Sequence, residues 1–313
     1  MNGRELSRAY FETFGMTMLR SQFPDLIPFL AAGLLGSGSE ILGYDDEISR
    51  DHDFEPGFCL FLPGEEVVSR RRAFELERAY AKLPKEFRGY TRALMQPVGG
   101  ARKGVIRLTE FLAEKIGSED GTLSISGWLN VPEQALLELT EGEVYFDHFG
   151  ALKAARAALA YYPEDIRRKK LAGQLLTAAQ AGQYNYMRCI SHGEAAAAQL
   201  AVFEFVKAAS SVIFLLNRRY QPYYKWSFRA LRTLPLLSIE AELFEYLLTT
   251  DNSKEMCEEK YRVIEGIAVD LIELLMEQGI TKANCGDLEK HAYSVNDSIE
   301  NAEIRNLHIL SAI

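Results

Sequence analysis

The most informative stretch of this chain reads FLAAGLLGSGSE over residues 29–40 and, after a short gap, DHD over residues 51–53. An apolar run that ends in Gly and Ser residues is typical of a buried strand leading into a tight turn. Glycine lets the backbone approach a ligand closely, so the amides and Ser hydroxyls of such a turn can bind a phosphate. The turn lacks the spacing of a P-loop and of a dinucleotide-binding fingerprint.

The two carboxylates of the DHD segment indicate a metal site. On a strand, side-chain alternation places Asp51 and Asp53 on one face and His52 on the other. Two carboxylates this close repel each other unless a cation lies between them, and Mg²⁺ takes such ligands together with substrate phosphates. Asp-x-Asp also occurs in ordinary loops, so the pattern gains its meaning from the neighbouring turn. Together they predict chemistry on a nucleoside triphosphate.

Composition narrows the class of protein. The 313 residues are 48% hydrophobic and 25% charged, which are ordinary globular values. Charged residues near the N-terminus argue against a signal peptide, and Glu204 and Lys207 interrupt the apolar stretch 195–216, which we therefore interpret as a buried helix. The four cysteines form no Cys-x-x-Cys pair. We expect reduced thiols, a cytoplasmic location and no membrane partner.

Charge is distributed unevenly along the chain. The net charge is −9 overall, but residues 151–234 contain 13 Lys and Arg against 4 Asp and Glu, a block of +9 between acidic flanks. Such a block can face a polyanion or pair with the acidic parts of the chain. The whole chain is acidic and has no RNA- or DNA-binding motif, so we expect no nucleic-acid partner.

The pattern of elements predicts an α+β protein with two domains. Strand candidates cover residues 29–35, 58–62 and 143–149, mixed with helices that include 3–22, whereas no strand signal follows Gly150. We predict an α/β domain with a short mixed sheet over residues 1–150 and an all-α bundle over residues 151–313. The predicted bundle helices span residues 151–162, 164–181, 193–218, 222–232, 238–249, 254–278 and 286–311.

The order strand, Gly-Ser, about a dozen residues, Asp-x-Asp resembles the signature of the DNA-polymerase-beta-like nucleotidyltransferase superfamily. Thirteen residues separate Ser37 from Asp51 and eleven separate Ser39 from Asp51, and both spacings fit. We favour Gly38-Ser39 over Gly36-Ser37, because Gly43 then falls where such turns often carry another glycine. The resemblance implies that Ser37, Gly38 and Ser39 hold the triphosphate of ATP and that Asp51 and Asp53 bind Mg²⁺.

In that superfamily a third acid comes from a later strand. Asp147, in the segment EVYFD over residues 143–147, is the first candidate, as a metal ligand or as the general base, and Glu143 on the same strand is the second. Asp147 can equally be a carboxylate that simply ends a strand. His148 beside it is more typical of a surface or core position.

The resemblance extends to a family of uncharacterised bacterial nucleotidyltransferase-like proteins through residues 38–53, FRGY at 87–90 and NRRYQPYYKW at 217–226. The layout is similar to that of antibiotic nucleotidyltransferases, in which a helical domain supplies basic residues to the triphosphate. This implies that role for Lys225, with Arg229 one helical turn on. Alternatively, both cations only border Trp226 and Tyr224 at a domain interface. Arg188 and His192 lie too close together for an RNase-type pair, so we interpret His192 as structural.

These features predict a Mg²⁺-dependent enzyme that transfers AMP from ATP to a hydroxyl of a small molecule and releases pyrophosphate. Two alternatives remain open. One is a non-catalytic nucleotide-binding regulator or antitoxin-like protein, and the other is an adenylyltransferase that modifies a protein side chain. The residues leave the acceptor and the base preference open.

Overall fold

The computed structural model describes residues 1–48, 54–92 and 103–312, so Asp51 and Asp53 lie outside the described residues. The fold is α+β, as predicted. Contacts divide the chain into two compact units, which we name unit 1 (residues 1–123 and 131–160) and unit 2 (residues 124–130 and 161–313). The domain boundary predicted at residue 150 stays a prediction; by contacts, residues 151–160 belong with unit 1.

Unit 1 contains a four-stranded sheet and a two-stranded hairpin. The strands are β1 (Ala31–Leu34), β2 (Cys59–Leu62), β3 (Glu86–Phe87), β4 (Tyr90–Thr91), β5 (Gly104–Arg107) and β6 (Glu143–Asp147). The sheet order is β5-β2-β1-β6. β1 is antiparallel to both of its neighbours, and β5 is parallel to β2. The sheet is therefore mixed, and β1, one of its two inner strands, leads into the turn at residues 36–39.

The helices of unit 1 cover and connect these strands. They are α1 (Gly3–Tyr10), α2 (Met16–Gln22), α3 (Ser39–Leu42), α4 (Arg70–Ala81), α5 (Leu108–Ile116), α7 (Glu133–Thr140) and α8 (Ala151–Ala158), with α6 (Ile125–Asn130) belonging to unit 2. A π-helical turn, Phe11–Gly15, joins α1 to α2, so the predicted helix over residues 3–22 is confirmed as one continuous run.

An aromatic cluster fills the core of unit 1. The Phe58 ring lies 5.0 Å from the Phe11 ring and 4.9 Å from the Tyr80 ring, measured between centroids. The Tyr80 hydroxyl donates to the Phe58 carbonyl at 2.8 Å, which satisfies a polar group that is otherwise buried. Fully buried aromatic rings contribute a large share of the apolar area that stabilises a domain of this size. This core fixes β1 and β2 beneath the N-terminal helices.

All secondary-structure elements among the described residues of unit 2 are helices. Besides α6 its helices are α9 (Glu164–Ala178), α10 (Tyr186–Ser191), α11 (Ala195–Leu216), α12 (Tyr224–Leu231), α13 (Glu240–Thr249), α14 (Cys257–Glu277), α15 (Leu288–Asp297) and α16 (Ala302–Asn306). Among the described helices, only α11 is long and apolar enough to cross a membrane, and 61% of its apolar window is buried within the protein. This burial agrees with the predicted core helix.

The single helix predicted over residues 286–311 is wrong. The structure has two helices, α15 and α16, because the chain turns between them at Glu300 and Asn301. The Asp165 carboxylate accepts hydrogen bonds from both of these backbone amides, at 3.1 and 2.8 Å. The Asn301 side chain then caps the start of α16. A contact made across 135 residues of sequence therefore interrupts the helix.

Candidate functional site

The turn after β1 requires glycine. Gly38 has φ +145°, and a Cβ at this position would lie 2.3 Å from a carboxylate oxygen of Glu40. A larger residue would therefore be strained in this conformation and would displace the Glu40 carboxylate. Ser39 follows at the first position of α3, and Gly43 ends that helix with φ +72°. The chain forms a single helical turn here because a glycine stands at each end of it.

Several polar groups of the turn remain available. In the described part of the chain, the backbone amides of Ser37, Gly38 and Ser39 donate to no protein acceptor, and the Ser39 hydroxyl is also unbonded. The first amides of a helix lack partners within the helix, and they can bind an anion. The Ser37 hydroxyl, in contrast, donates to the Glu138 carboxylate at 2.9 Å. With respect to the described residues, Ser39 is thus the one serine of the turn whose hydroxyl is free for a ligand.

One side of the turn is fixed by α5 and α7. The Gly36 amide donates to the Glu138 carbonyl at 2.9 Å. Lys115 lies 2.6 Å from the Glu138 carboxylate and 3.3 Å from the Ser37 hydroxyl. The side chains of Lys115 and Glu138 are 15% and 13% exposed, so little solvent screens this ion pair. These contacts hold the first half of the turn in one conformation.

The other side of the turn is fixed by a second ion pair. Lys103 Nζ lies 3.5 Å from Glu40 Oε1, and both side chains are more than 90% buried. Lys103 also donates to the Glu55 carbonyl at 2.9 Å. Arg4 donates to the carbonyls of Glu40 and Ile41, at the end of the short helix α3. Three cations, Arg4, Lys103 and Lys115, therefore contact residues of the turn or of α3.

Two further strands begin at the edge of the sheet where the turn lies. Cys59, the first residue of β2, pairs with Gly33, and Glu143, the first residue of β6, pairs with Leu34. The Gly142 amide donates to the Ile41 carbonyl at 3.2 Å, which joins the start of β6 to α3. Gly142 has φ +80°, and a Cβ there would lie 2.2 Å from the Leu34 carbonyl. The closeness of β1 and β6 at this edge thus depends on glycine.

Glu143 is held at this edge by α1. Arg8 donates to Glu143 Oε1 through Nε at 3.0 Å and through Nη2 at 2.5 Å. This hydrogen bond raises the pKa of the Arg8 guanidinium above its usual value. Tyr145, two residues further along β6, exchanges a 2.6 Å hydrogen bond with the Ser7 hydroxyl, and burial raises the pKa of its phenol. Glu143 therefore lies at the same end of β1 as the turn, with a fixed cation beside it.

The structure does not bring Asp147 to the turn. Asp147 pairs with Ala31, at the opposite end of β1, so about 10 Å of strand separate it from Leu34. Its carboxylate oxygens accept from the amides of Gly150 and Lys153, both at 2.8 Å. Asp147 therefore caps α8, and its predicted role as third acid stays a prediction. The same segment places the His148 ring against Phe146 at 4.7 Å.

The described residues contain no group of three or more His, Cys, Asp and Glu side chains that could hold a metal. Asp51 and Asp53 are not among these residues, so their predicted role as Mg²⁺ ligands stays a prediction. All four cysteines are free, in agreement with the reduced thiols expected from the sequence. Burial raises the pKa of the Cys59 thiol to about 11, so this thiol on β2 is protonated at neutral pH.

The predicted cations of unit 2 lie on α12. Lys225 Nζ lies 5.0 Å and the Arg229 guanidinium 5.9 Å from the Trp226 ring centroid, distances typical of cation–π contacts. Both cations are exposed, as is Tyr224 at 81%. α12 thus carries a basic and aromatic surface. The predicted role of Lys225 and Arg229 toward a triphosphate stays a prediction.

The comparisons with known proteins leave the family open. Residues 128–227, less than half of the chain, match a family described as a domain of unknown function, DUF4037. No curated protein matches the sequence. The chain is similar to the crystal structure of a nucleotidyltransferase-like protein from Exiguobacterium sibiricum 255-15, with 14% identity over 91% of this chain and 80% of the other, at a TM-score of 0.39.

Proposed function

We propose that unit 1 binds a Mg²⁺–ATP complex and transfers AMP to a hydroxyl of a small-molecule acceptor. The observation that carries this proposal is the turn after β1: within the described residues, the amides of Ser37, Gly38 and Ser39 and the Ser39 hydroxyl bond no protein acceptor, although ion pairs hold the turn on both sides. Preorganised donors of this kind bind phosphate oxygens at little entropic cost. We assign the triphosphate to Gly38 and Ser39, and we give Ser37 a supporting role through its contact with Glu138.

Mg²⁺, held by Asp51 and Asp53, would stabilise the negative charge of the triphosphate. For the third acid we now favour Glu143 over Asp147, because Glu143 lies beside the turn and Asp147 caps a helix at the other end of the sheet. In the reaction, the acceptor hydroxyl oxygen forms a bond to the α-phosphorus and the bond to the bridging oxygen of the β-phosphate breaks. The hydroxyl proton passes to Glu143 and pyrophosphate leaves.

The resemblance adds Lys225 and Arg229 as cations that neutralise the leaving pyrophosphate. We also propose a cytoplasmic location, since the free cysteines fit a reducing compartment. No nucleic-acid or membrane partner is part of this proposal.

Isotope-labelled ATP tests the proposal. The protein is incubated with α-labelled ATP, Mg²⁺ and a panel of hydroxyl-bearing acceptors, and both labelled product and pyrophosphate are measured. We expect product formation that is lost in Asp51→Asn and in Glu143→Gln but retained in Asp147→Asn. Asp120→Asn is the matched control, because this exposed carboxylate accepts from Ser118 and Thr122 in a surface loop.

Two results would contradict the proposal. One is the absence of product and pyrophosphate across the panel, combined with ATP affinity that Asp51→Asn leaves unchanged. The other is a Ser39→Ala variant that binds ATP as tightly as the wild type. ATP binding that depends on Asp51 without any turnover would instead favour the nucleotide-binding regulator.

A further inference from the structure

A second candidate binding site lies in unit 2, where three arginines surround one glutamate. Glu164, the first residue of α9, accepts hydrogen bonds from Arg167 at 2.7 Å, from Arg168 at 3.1 Å and from Arg218 at 2.9 Å. All four side chains line one cavity of about 530 Å³. No other acid lines this cavity among the described residues, so the cluster has a net charge of +2.

A structural ion pair does not account for three arginines. Arg167 is 97% buried and has a second acceptor in the Leu215 carbonyl, at the end of α11, so its place is explained by packing. Arg168 keeps Nη2 without an acceptor in the described part of the chain, since Nε and Nη1 bind Glu164 and the Ser298 carbonyl. Toward the described residues, the Arg218 side chain donates through Nη2 only. Two arginines that line the cavity therefore keep guanidinium donors that bond no described group.

The backbone holds Arg218 in place. Its φ of +52° lies in the left-handed region, which non-glycine residues rarely adopt. Asn217 beside it donates to the carbonyls of Ile213 and Leu236 and accepts from the Leu236 amide, all within 3.0 Å. Gln278 donates to the Leu216 carbonyl and closes the cavity on another side. The Asn217 and Gln278 amides on the cavity wall are thus already bonded to the protein, which fixes the segment that carries Arg218.

The charge balance at Glu164 points to a strongly cationic site. Burial raises the pKa of the Glu164 carboxyl, but the hydrogen bonds and charges of Arg167 and Arg218 outweigh burial and lower the pKa to about 2. The carboxylate is therefore ionised at any physiological pH, and it compensates only one of the three positive charges. A guanidinium group can donate two parallel hydrogen bonds to two oxygens of a phosphate, as it does to a carboxylate.

We propose that this cavity binds a dianionic phosphoryl group, free or carried by a small molecule, through Arg168 and Arg218. The site lies wholly within unit 2, and the proposal does not depend on nucleotide transfer in unit 1. Net charge and free donors favour a phosphoryl dianion over a carboxylate, which would neutralise only half of the excess charge.

Titration of the full chain with inorganic phosphate tests this site, with sodium chloride at matched ionic strength as the reference. We expect saturable binding by calorimetry and by phosphorus NMR, and a loss of about tenfold or more in affinity for Arg218→Gln and for Arg168→Gln, as for the removal of a charge-assisted hydrogen bond. Arg232→Gln is the matched control. Arg232 pairs with Glu245 in the same unit, outside the cavity, and its loss removes the same charge.

A phosphate monoester such as glycerol 3-phosphate distinguishes the two sources of the phosphoryl group. Binding tighter than that of inorganic phosphate identifies a carried group, and weaker binding identifies free phosphate. The proposal is overturned if phosphate binds no better than chloride, or if Arg232→Gln weakens binding as much as Arg218→Gln. Circular dichroism of each variant verifies that the helical fold is retained.

Discussion

The buried ion pair between Lys103 and Glu40 yields the sharpest prediction about the turn. Both side chains are more than 90% buried, their charged atoms are 3.5 Å apart, and Glu40 is the residue whose carboxylate packs against Gly38. Lys103→Met leaves a buried carboxylate without a cation, and the loss of one partner of such a pair costs about 3–5 kcal/mol. We expect a loss of stability in this range.

The partner substitution is milder. In Glu40→Gln the Lys103 ammonium keeps its 2.9 Å hydrogen bond to the Glu55 carbonyl, so we expect a loss of about 1–3 kcal/mol, typical of a weakened charge-assisted hydrogen bond. The double variant buries no charge at this place and loses less than the sum of the single variants. The resulting coupling energy is about 1–3 kcal/mol, as measured for residues in direct contact.

The double-mutant cycle is read by urea denaturation followed by circular dichroism, and by amide hydrogen exchange of peptides that cover β1 and α3. Both tryptophans, Trp128 and Trp226, lie in unit 2, so fluorescence reports separately on that unit. The exposed pair Arg71–Glu75 on α4 is the control, with an expected coupling below about 0.5 kcal/mol. A Lys103–Glu40 coupling no larger than this control would refute the argument that this pair fixes the turn.

Three further predictions concern the turn, the helix cap and a buried acid. Gly38→Ala lowers both stability and ATP affinity, because it adds a Cβ in contact with Glu40. Gly117→Ala is the control: it is also at positive φ but has open space around it, so it costs about 1 kcal/mol and leaves ATP affinity unchanged. Urea denaturation measures the stability of each variant, and calorimetry measures its ATP affinity. Asp147→Asn removes a charged helix cap and costs about 1 kcal/mol without changing ATP affinity. Burial and then the charge of Asp270 raise the pKa of Glu240 from 4.5 to about 7. The protonated Glu240 therefore contributes fully to the free energy of unfolding below pH 4.5, and this contribution is lost as the pH rises through 7. Urea denaturation at several pH values detects this loss, which is absent in Glu240→Gln; an unchanged pH profile would contradict the assignment.

Local sequence patterns predicted the main strands and helices of the fold, because the apolar residues of these elements follow the period of a strand or of a helix. The apolar runs that became β1 and β2 are buried at every position. β5 is not among the strands predicted from the sequence, because GVIR over residues 104–107 is only half-buried and lacks the fully apolar run of β1 and β2. Its strand conformation comes from parallel pairing with β2, a contact between segments 45 residues apart.

In the candidate site, too, local features could be predicted from the sequence and long-range contacts could not. The small-residue turn could be found from sequence because glycine and serine impose its conformation locally, as Gly38 shows. The cations around it could not, since Lys103 and Lys115 are separated from their partners by at least 23 residues and resemble any surface lysine in the sequence. Long-range ion pairs of this kind leave no periodic signal.

The choice between the two candidates for the third acid shows that strand direction determines which residues lie beside the turn. Both Glu143 and Asp147 are acids on β6, and the sequence leaves open which end of this strand meets the turn. Had β6 been parallel to β1, Asp147 would lie at the end that carries the turn. Because β6 is antiparallel, its first residue Glu143 pairs with Leu34 and its last residue pairs with Ala31. The preference for Glu143 therefore follows from topology, and Arg8, which holds that carboxylate in place, belongs to the same arrangement.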